Sequence, residues 1–204
     1  MIALIDYRAG NLTSVKKALA TIGAEVFVPD APRDLADARG IIVPGVGHFR
    51  ATRALDGPWI EAILERVGEG RPLLGICLGM HWLFEGSEEA PDLAGLGLLG
   101  GRCVRLGAVR PRGLDRIKVP HVGWNSLGMI RTDSIVDAVP DGAQVYFTHS
   151  YVAPVTGDTV AITEHGEPFA AVVQRGHVTG VQFHPEKSGD VGLRVLRNFV
   201  EQAG

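Results

Sequence analysis

Cysteine is nearly absent: Cys77 and Cys103 are the only two in 204 residues. They are too few and too far apart for a disulfide framework or a structural zinc site. His48, His121, His149, His165 and His177 show no metal-ligand spacing, so neither a metal nor a cofactor is expected. No run of Lys or Arg occurs and the net charge is only -3, which gives no footprint for nucleic acid or for a membrane surface. No apolar stretch reaches the length of a membrane span. The N-terminus enters directly with Ile2-Ala3-Leu4-Ile5 and lacks the basic, apolar and small-residue regions of a signal peptide. A cytoplasmic protein with free thiols is the expectation. What the chain does have is 46% hydrophobic residues against 21% charged, enough for a large core, and 27 glycines for tight turns. Its length favours a single domain over 1–204, with no linker or internal repeat.

The first half alternates strand and helix signals. Ile2–Ile5, Glu25–Val28, Ile41–Val43 and Leu73–Ile76 are short apolar runs, read as buried strands. Between them, Leu12, Val15, Leu19 and Ile22 recur at helical spacing, with Asn11 as N-cap and Gly23 as stop. A short crossover over Pro32–Arg39 and a helix from about Ala51 to Val67, broken near Gly57-Pro58, complete the pattern. Buried strands separated by helices predict an α/β fold with a mostly parallel central sheet flanked by helices. Sites in such sheets lie at the carboxyl ends of the strands, where Gly45 and Cys77 fall. The second half is β-rich, with strand signals at Leu98–Leu106, Gln144–Phe147, Thr159–Thr163, Phe169–Gln174 and Val178–Phe183, before an amphipathic helix around Val191–Val200.

Gly75-Ile76-Cys77-Leu78-Gly79 joins a buried strand to a helical pattern, Met80 to Phe84. That is the nucleophile-elbow arrangement with cysteine in the serine place. A lone cysteine is ordinarily a small buried hydrophobe; two flanking glycines at a strand–helix junction favour a nucleophile, and helix N-terminal N–H groups favour its thiolate. Cys103, within Arg102-Cys103-Val104-Arg105, has no such setting and reads as structural. A cysteine nucleophile needs a base, and His184-Pro185-Glu186 supplies one. Two residues apart on extended backbone project to one side, so Glu186 is expected to orient the His184 imidazole. The oxyanion would be held by the backbone N–H of Leu78 and by Val46 or Gly47 in Pro44-Gly45-Val46-Gly47, whose glycines leave the peptide free to reorient. Gly95 to Gly100 matches a dinucleotide fingerprint, but it leads into a strand and is set aside.

Together, the Cys77 elbow, the glycine-rich turn and His184-Pro185-Glu186 resemble the class I, triad-type glutamine amidotransferases, whose fold is flavodoxin-like. More narrowly, the chain resembles the glutaminase subunits of imidazole glycerol phosphate synthase. That likeness rests on Asp6-Tyr7-Arg8-Ala9-Gly10-Asn11-Leu12, Pro44-Gly45-Val46-Gly47-His48-Phe49, Pro120-His121-Val122-Gly123-Trp124-Asn125, Tyr146-Phe147-Thr148-His149-Ser150-Tyr151 and His184-Pro185-Glu186-Lys187-Ser188-Gly189. The resemblance implies hydrolysis of glutamine at Cys77 and delivery of ammonia to a (β/α)8-barrel cyclase partner in histidine biosynthesis. It also implies that Ser150 and Tyr151 hold the glutamine backbone, and that Asn11, His121, Trp124 and Lys187 lie at or near the partner interface.

Two positions depart from the family pattern. Arg8 stands where glycine is usual, and His81 stands where glutamine is usual, four residues after the nucleophile. Position i+4 shares a helix face with Cys77, so His81 should look into the pocket, where an imidazole cannot imitate a carboxamide on both sides. The alternatives are a glutaminase serving another synthase, such as one making pyridoxal phosphate or anthranilate, a γ-glutamyl hydrolase, and a non-enzymatic sensor with an oxidisable Cys77.

Overall fold

The computed structural model describes residues 1–107 and 117–204. In chain order its strands are β1 (Ile2–Leu4), β2 (Val26–Phe27), β3 (Gly40–Gly45), β4 (Leu73–Cys77), β5 (Gly86–Ser87), β6 (Arg102–Arg105) and β7 (His121–Ser126). They continue as β8 (Gly128–Met129), β9 (Gln144–His149), β10 (Tyr151–Val152), β11 (Thr159–Glu164), β12 (Pro168–Arg175) and β13 (Val178–Val181). The α-helices are α1 (Leu12–Thr21), α2 (Gly57–Gly68), α3 (Leu78–Leu83) and α4 (Gly189–Gln202). The break expected near Gly57-Pro58 divides a 3-10 turn, Phe49–Ala54, from α2, where Asp56 caps the helix by accepting from the Trp59 N–H. Asn11 caps α1 through Ser14 in the same way.

Eight strands form the main sheet in the order β2-β1-β3-β4-β13-β12-β11-β8. It is parallel from β2 through β13 and antiparallel from there to β8. The parallel part follows from the helical crossovers of the first half, and the antiparallel part from the short connections of the second. The flavodoxin-like expectation holds, with four strands of the β-rich half, β13, β12, β11 and β8, continuing the same sheet. Two smaller sheets, β10-β6-β5 and β7-β9, stand beside it.

Alternation along the central strands divides the core in two. Ala3, Ile5, Ile41 and Val43 face one side with Ile63 of α2 and Met80 of α3. Leu4, Ile42, Leu74 and Ile76 face the other, with Leu19 of α1 and Phe199 of α4. With both faces covered, the sheet leaves its strand ends to carry chemistry. No helix among the described residues is long and apolar enough to cross a membrane.

Candidate active site

Register brings the site together. In the parallel ladder Gly45 pairs with Cys77 across β3 and β4, and Val181 pairs with Ile76 across β4 and β13. The glycine-rich turn after β3 and the segment Gln182 to Glu186 after β13 therefore emerge on either side of Cys77.

Cys77 ends β4 with φ 52° and ψ -106°, a left-handed backbone that a non-glycine residue adopts at a cost of about 1–2 kcal/mol. The turn closes only because its neighbours have no side chains. A Cβ on Gly75 would lie 2.5 Å from the Gly79 carbonyl oxygen, and one on Gly79 would collide with the Val43 carbonyl. Helix α3 begins at the next residue, so the Leu78 N–H has no partner within the helix and is available to an oxyanion. Cys103 is wholly buried, and burial pushes its thiol far up, which fits an inert structural residue.

His184 is buried, and Glu186 Oε1 lies 2.8 Å from its Nδ1. The geometry differs from an extended arrangement, because Pro185–Lys187 forms a 3-10 turn that folds the carboxylate back onto the ring. The backbone of His184 is clamped too. Its N–H donates to the Tyr146 carbonyl at 2.9 Å, and its carbonyl accepts from Ser188 Oγ at 2.7 Å. Nε2 is buried and makes no hydrogen bond of standard geometry. Burial alone would lower the imidazole pKa, but Cys77 and Glu186 outweigh it and raise it to about 10. Both partners thus favour the charged form of the base.

His81 is also buried, with Nε2 2.7 Å from Gln182 Oε1. Burial lowers its pKa to about 4, only partly offset by that hydrogen bond. It is neutral, and it faces the cavity as its helical position predicts. Gln182 itself was not singled out by sequence, although its Nε2 lies 3.7 Å from Cys77 Sγ. A lone amide within an apolar strand carries no signal of its own.

A cavity of about 340 Å³ opens at Cys77, lined by Val46, Gly47, Leu78, His81, Ser150 and Tyr151 among others. Every residue expected to bind substrate or oxyanion is there. So is Glu89, missed by sequence, whose carboxylate accepts from the Phe49 N–H at 2.7 Å and anchors the turn beyond Gly47. The Val46 N–H donates to the Ala9 carbonyl at 2.5 Å, so in this state it is turned away from service to an oxyanion.

The expected interface residues do not share one environment. Trp124 is 56% exposed on β7, edge-on to Tyr146, and the exposed Lys187 places its Nζ 5.7 Å from the centre of that same ring. Asn11 is exposed as the cap of α1. His121 is different: it is buried and not presented on the surface. Its ring is held by a chain whose polarity the carbonyl at one end dictates. His149 Nδ1 donates to the Tyr151 carbonyl at 2.9 Å, so its Nε2 accepts from His121 Nδ1 at 3.1 Å. Asn125 Nδ2 then donates to His121 Nε2 at 3.3 Å. Burial lowers both imidazoles, His121 to about 4, and keeps the chain neutral. Arg8 adopts φ 61°, the left-handed conformation that glycine favours, with its N–H donating to Asp6 at 2.9 Å.

Residues 3–203 match the family model of glutamine amidotransferase class-I. Among similar proteins, the imidazole glycerol phosphate synthase subunit HisH of Moorella thermoacetica is 48% identical over 204 residues, covering 98% of this chain and 94% of that one. Its counterpart in Halobacterium salinarum is 46% identical over 209 residues, covering 98% and 92%. A solved glutamine amidotransferase superposes with a TM-score of 0.76 at 22% identity over the whole of both chains. The PurLQS structure from Thermotoga maritima gives 0.73 at 19% identity, covering 98% of this chain and 97% of that one. Those two structures speak for the fold, and the sequence relatives for the branch. This chain belongs to the class-I glutamine amidotransferase family, on the branch of the HisH subunits of imidazole glycerol phosphate synthase.

Proposed function

We propose that this chain is the glutaminase subunit of an imidazole glycerol phosphate synthase, with Cys77, His184 and Glu186 as its catalytic triad. The observation that carries the reading is the surroundings of Cys77: a cysteine at a strained strand–helix elbow beside a buried imidazole, with a carboxylate 2.8 Å from the far ring nitrogen.

Glutamine enters with its carboxamide over Cys77, its backbone end held by Ser150 and Tyr151. The Cys77 sulfur attacks the amide carbon and the oxygen becomes an oxyanion, stabilised by the Leu78 N–H. A second donor is needed, and Val46 or Gly47 supplies it once the peptide now committed to Ala9 turns toward the cavity. His184 donates its proton to the departing nitrogen, which leaves as ammonia, and a γ-glutamyl thioester remains. His184 then takes a proton from water, whose oxygen attacks the thioester and releases glutamate. Glu186 holds the ring throughout and stabilises its charged form.

Ammonia passes to a (β/α)8-barrel cyclase. There it converts a ribulosyl aminoimidazole-carboxamide nucleotide into imidazole glycerol phosphate and aminoimidazole-carboxamide ribotide, a step of histidine biosynthesis in the cytoplasm. Val122 and Trp124, two apart on β7 and both 56% exposed, form an apolar face suited to that partner, with Asn11 and Lys187 as polar contacts. His121 acts from beneath that face.

The test is an ammonia assay with glutamine, run with and without the purified cyclase and its nucleotide substrate. Glutamine hydrolysis that rises on adding both supports the reading. Hydrolysis indifferent to the cyclase assigns the chain to another synthase or to free γ-glutamyl hydrolysis.

A further inference from the structure

We propose that Gln182 donates a hydrogen bond to the Cys77 sulfur and that His81 positions it by holding the other end of its carboxamide. This rests on Cys77 being the nucleophile, and extends the set of residues that act on its sulfur from His184 and Glu186 to four.

The parallel register that pairs Val181 with Ile76 brings Gln182 out level with Cys77. Gln182 is wholly buried, with Nε2 3.7 Å from Sγ, a normal reach for the large sulfur atom, and Oε1 2.7 Å from His81 Nε2. A carboxamide has one donating and one accepting end. A thiolate only accepts, so it selects the NH₂ end and leaves Oε1 facing His81. His81 must then carry its proton on Nε2. The opposite polarity would set a carbonyl oxygen against an anionic sulfur. Burial keeps His81 neutral, so it adds a donor without adding charge.

The bond strengthens when sulfur is anionic and weakens when it is acylated. It therefore favours both the attacking thiolate and the thiolate that departs when the thioester is hydrolysed. Its loss should appear in kcat and in thiol reactivity, with little change in KM. The other titratable groups that face Cys77 are Tyr7 below it and His184, backed by Glu186, beside it; Glu89, His149 and Tyr151 stand across the cavity. None of these is altered by the substitutions below, so a displaced pH profile reports the Gln182 contact.

The experiment follows carbamidomethylation of the Cys77 peptide by iodoacetamide against pH in the full chain. Gln182→Met should slow alkylation at neutral pH about ten-fold, lower kcat to a similar extent and move the profile upward by about one pH unit. His81→Leu should slow alkylation in the same direction but less, and His81→Gln, which restores a donor to Oε1, should recover most of the alkylation rate that His81→Leu loses. A folded Gln182→Met with the wild-type profile overturns the proposal. Should that variant not fold, ¹⁵N spectra of the wild-type chain decide. His81 protonated on Nε2, with that preference relaxing after Cys77 is alkylated, supports it, and protonation on Nδ1 overturns it. Cys77→Ala separates the two levels: retained glutamine hydrolysis defeats the nucleophile assignment itself, whereas its loss beside an unaffected Gln182→Met defeats only the Gln182 contact.

Discussion

Two buried imidazoles near Cys77 have pKa values shifted in opposite directions. His184, after β13, is raised to about 10; His81, on α3, is lowered to about 4. Both rings are nearly sealed from solvent, so burial is common to the two and cannot be what separates them. The difference is the partner. His184 faces the Glu186 carboxylate and the nucleophile, and His81 faces the neutral carboxamide of Gln182. An anion offsets the desolvation of an imidazolium where a dipole does not. The site thereby keeps both a proton donor and a neutral hydrogen-bond chain close to the sulfur.

Removing the anion should collapse the contrast, with the largest effect. Glu186→Gln removes one of the two partners that raise His184, leaving Cys77 as the other, so the charged form of the ring is less favoured. Glutamine turnover in the presence of the cyclase should fall about 10²- to 10⁴-fold, and a ¹⁵N titration should show His184 releasing its proton well below the wild-type value of about 10. Turnover close to wild type would remove Glu186 from the triad.

The other flank can be broken through acid stability. The folded pKa of His81 is depressed from 6.5 to about 4, so between those values the unfolded chain binds the extra proton. The stability this neutral ring preserves is complete above pH 6.5 and is lost as pH falls toward 4. His81→Gln removes the titrating group and should flatten the acid loss by on the order of 2–3 kcal/mol, read from urea midpoints at pH 7 and pH 4.5. His121, also lowered to about 4, should keep part of the slope in that variant. An unchanged acid slope would mean that His81 does not titrate with unfolding.

The smallest effect on the subunit alone belongs to Trp124→Ala. Trp124 packs edge-on to Tyr146, whose carbonyl accepts from the His184 N–H, so the exposed face meets the charged flank directly. The isolated subunit should lose no more than about 1 kcal/mol of stability, while stimulation of glutamine hydrolysis by the cyclase should weaken markedly. Full stimulation would take Trp124 out of the interface.

What could be read from sequence follows from how local each feature is. Cys77 with Gly75 and Gly79, and His184 with Glu186, are encoded within a few residues, because steric closure of an elbow and a carboxylate folded back on its imidazole are short-range facts. The parallel half was legible for the same reason, since buried strands and crossover helices each leave their own period. The partner of His81 was not. Gln182 lies 101 residues away, and only the pairing of β4 with β13 puts it beside the sulfur. The direction of the Val46 N–H and the burial of His121 were equally hidden, since one is a peptide orientation and the other depends on the β7–β9 pairing.

The most direct test of the account is to trap the acyl-enzyme. The chain is mixed with cyclase, nucleotide substrate and glutamine, quenched in acid during turnover, and its peptides are weighed. The prediction is a γ-glutamyl adduct on the Cys77 peptide, none on the Cys103 peptide, and none at all in Cys77→Ala. Glutamine consumed while the Cys77 peptide stays unmodified and Cys77→Ala remains active would contradict it.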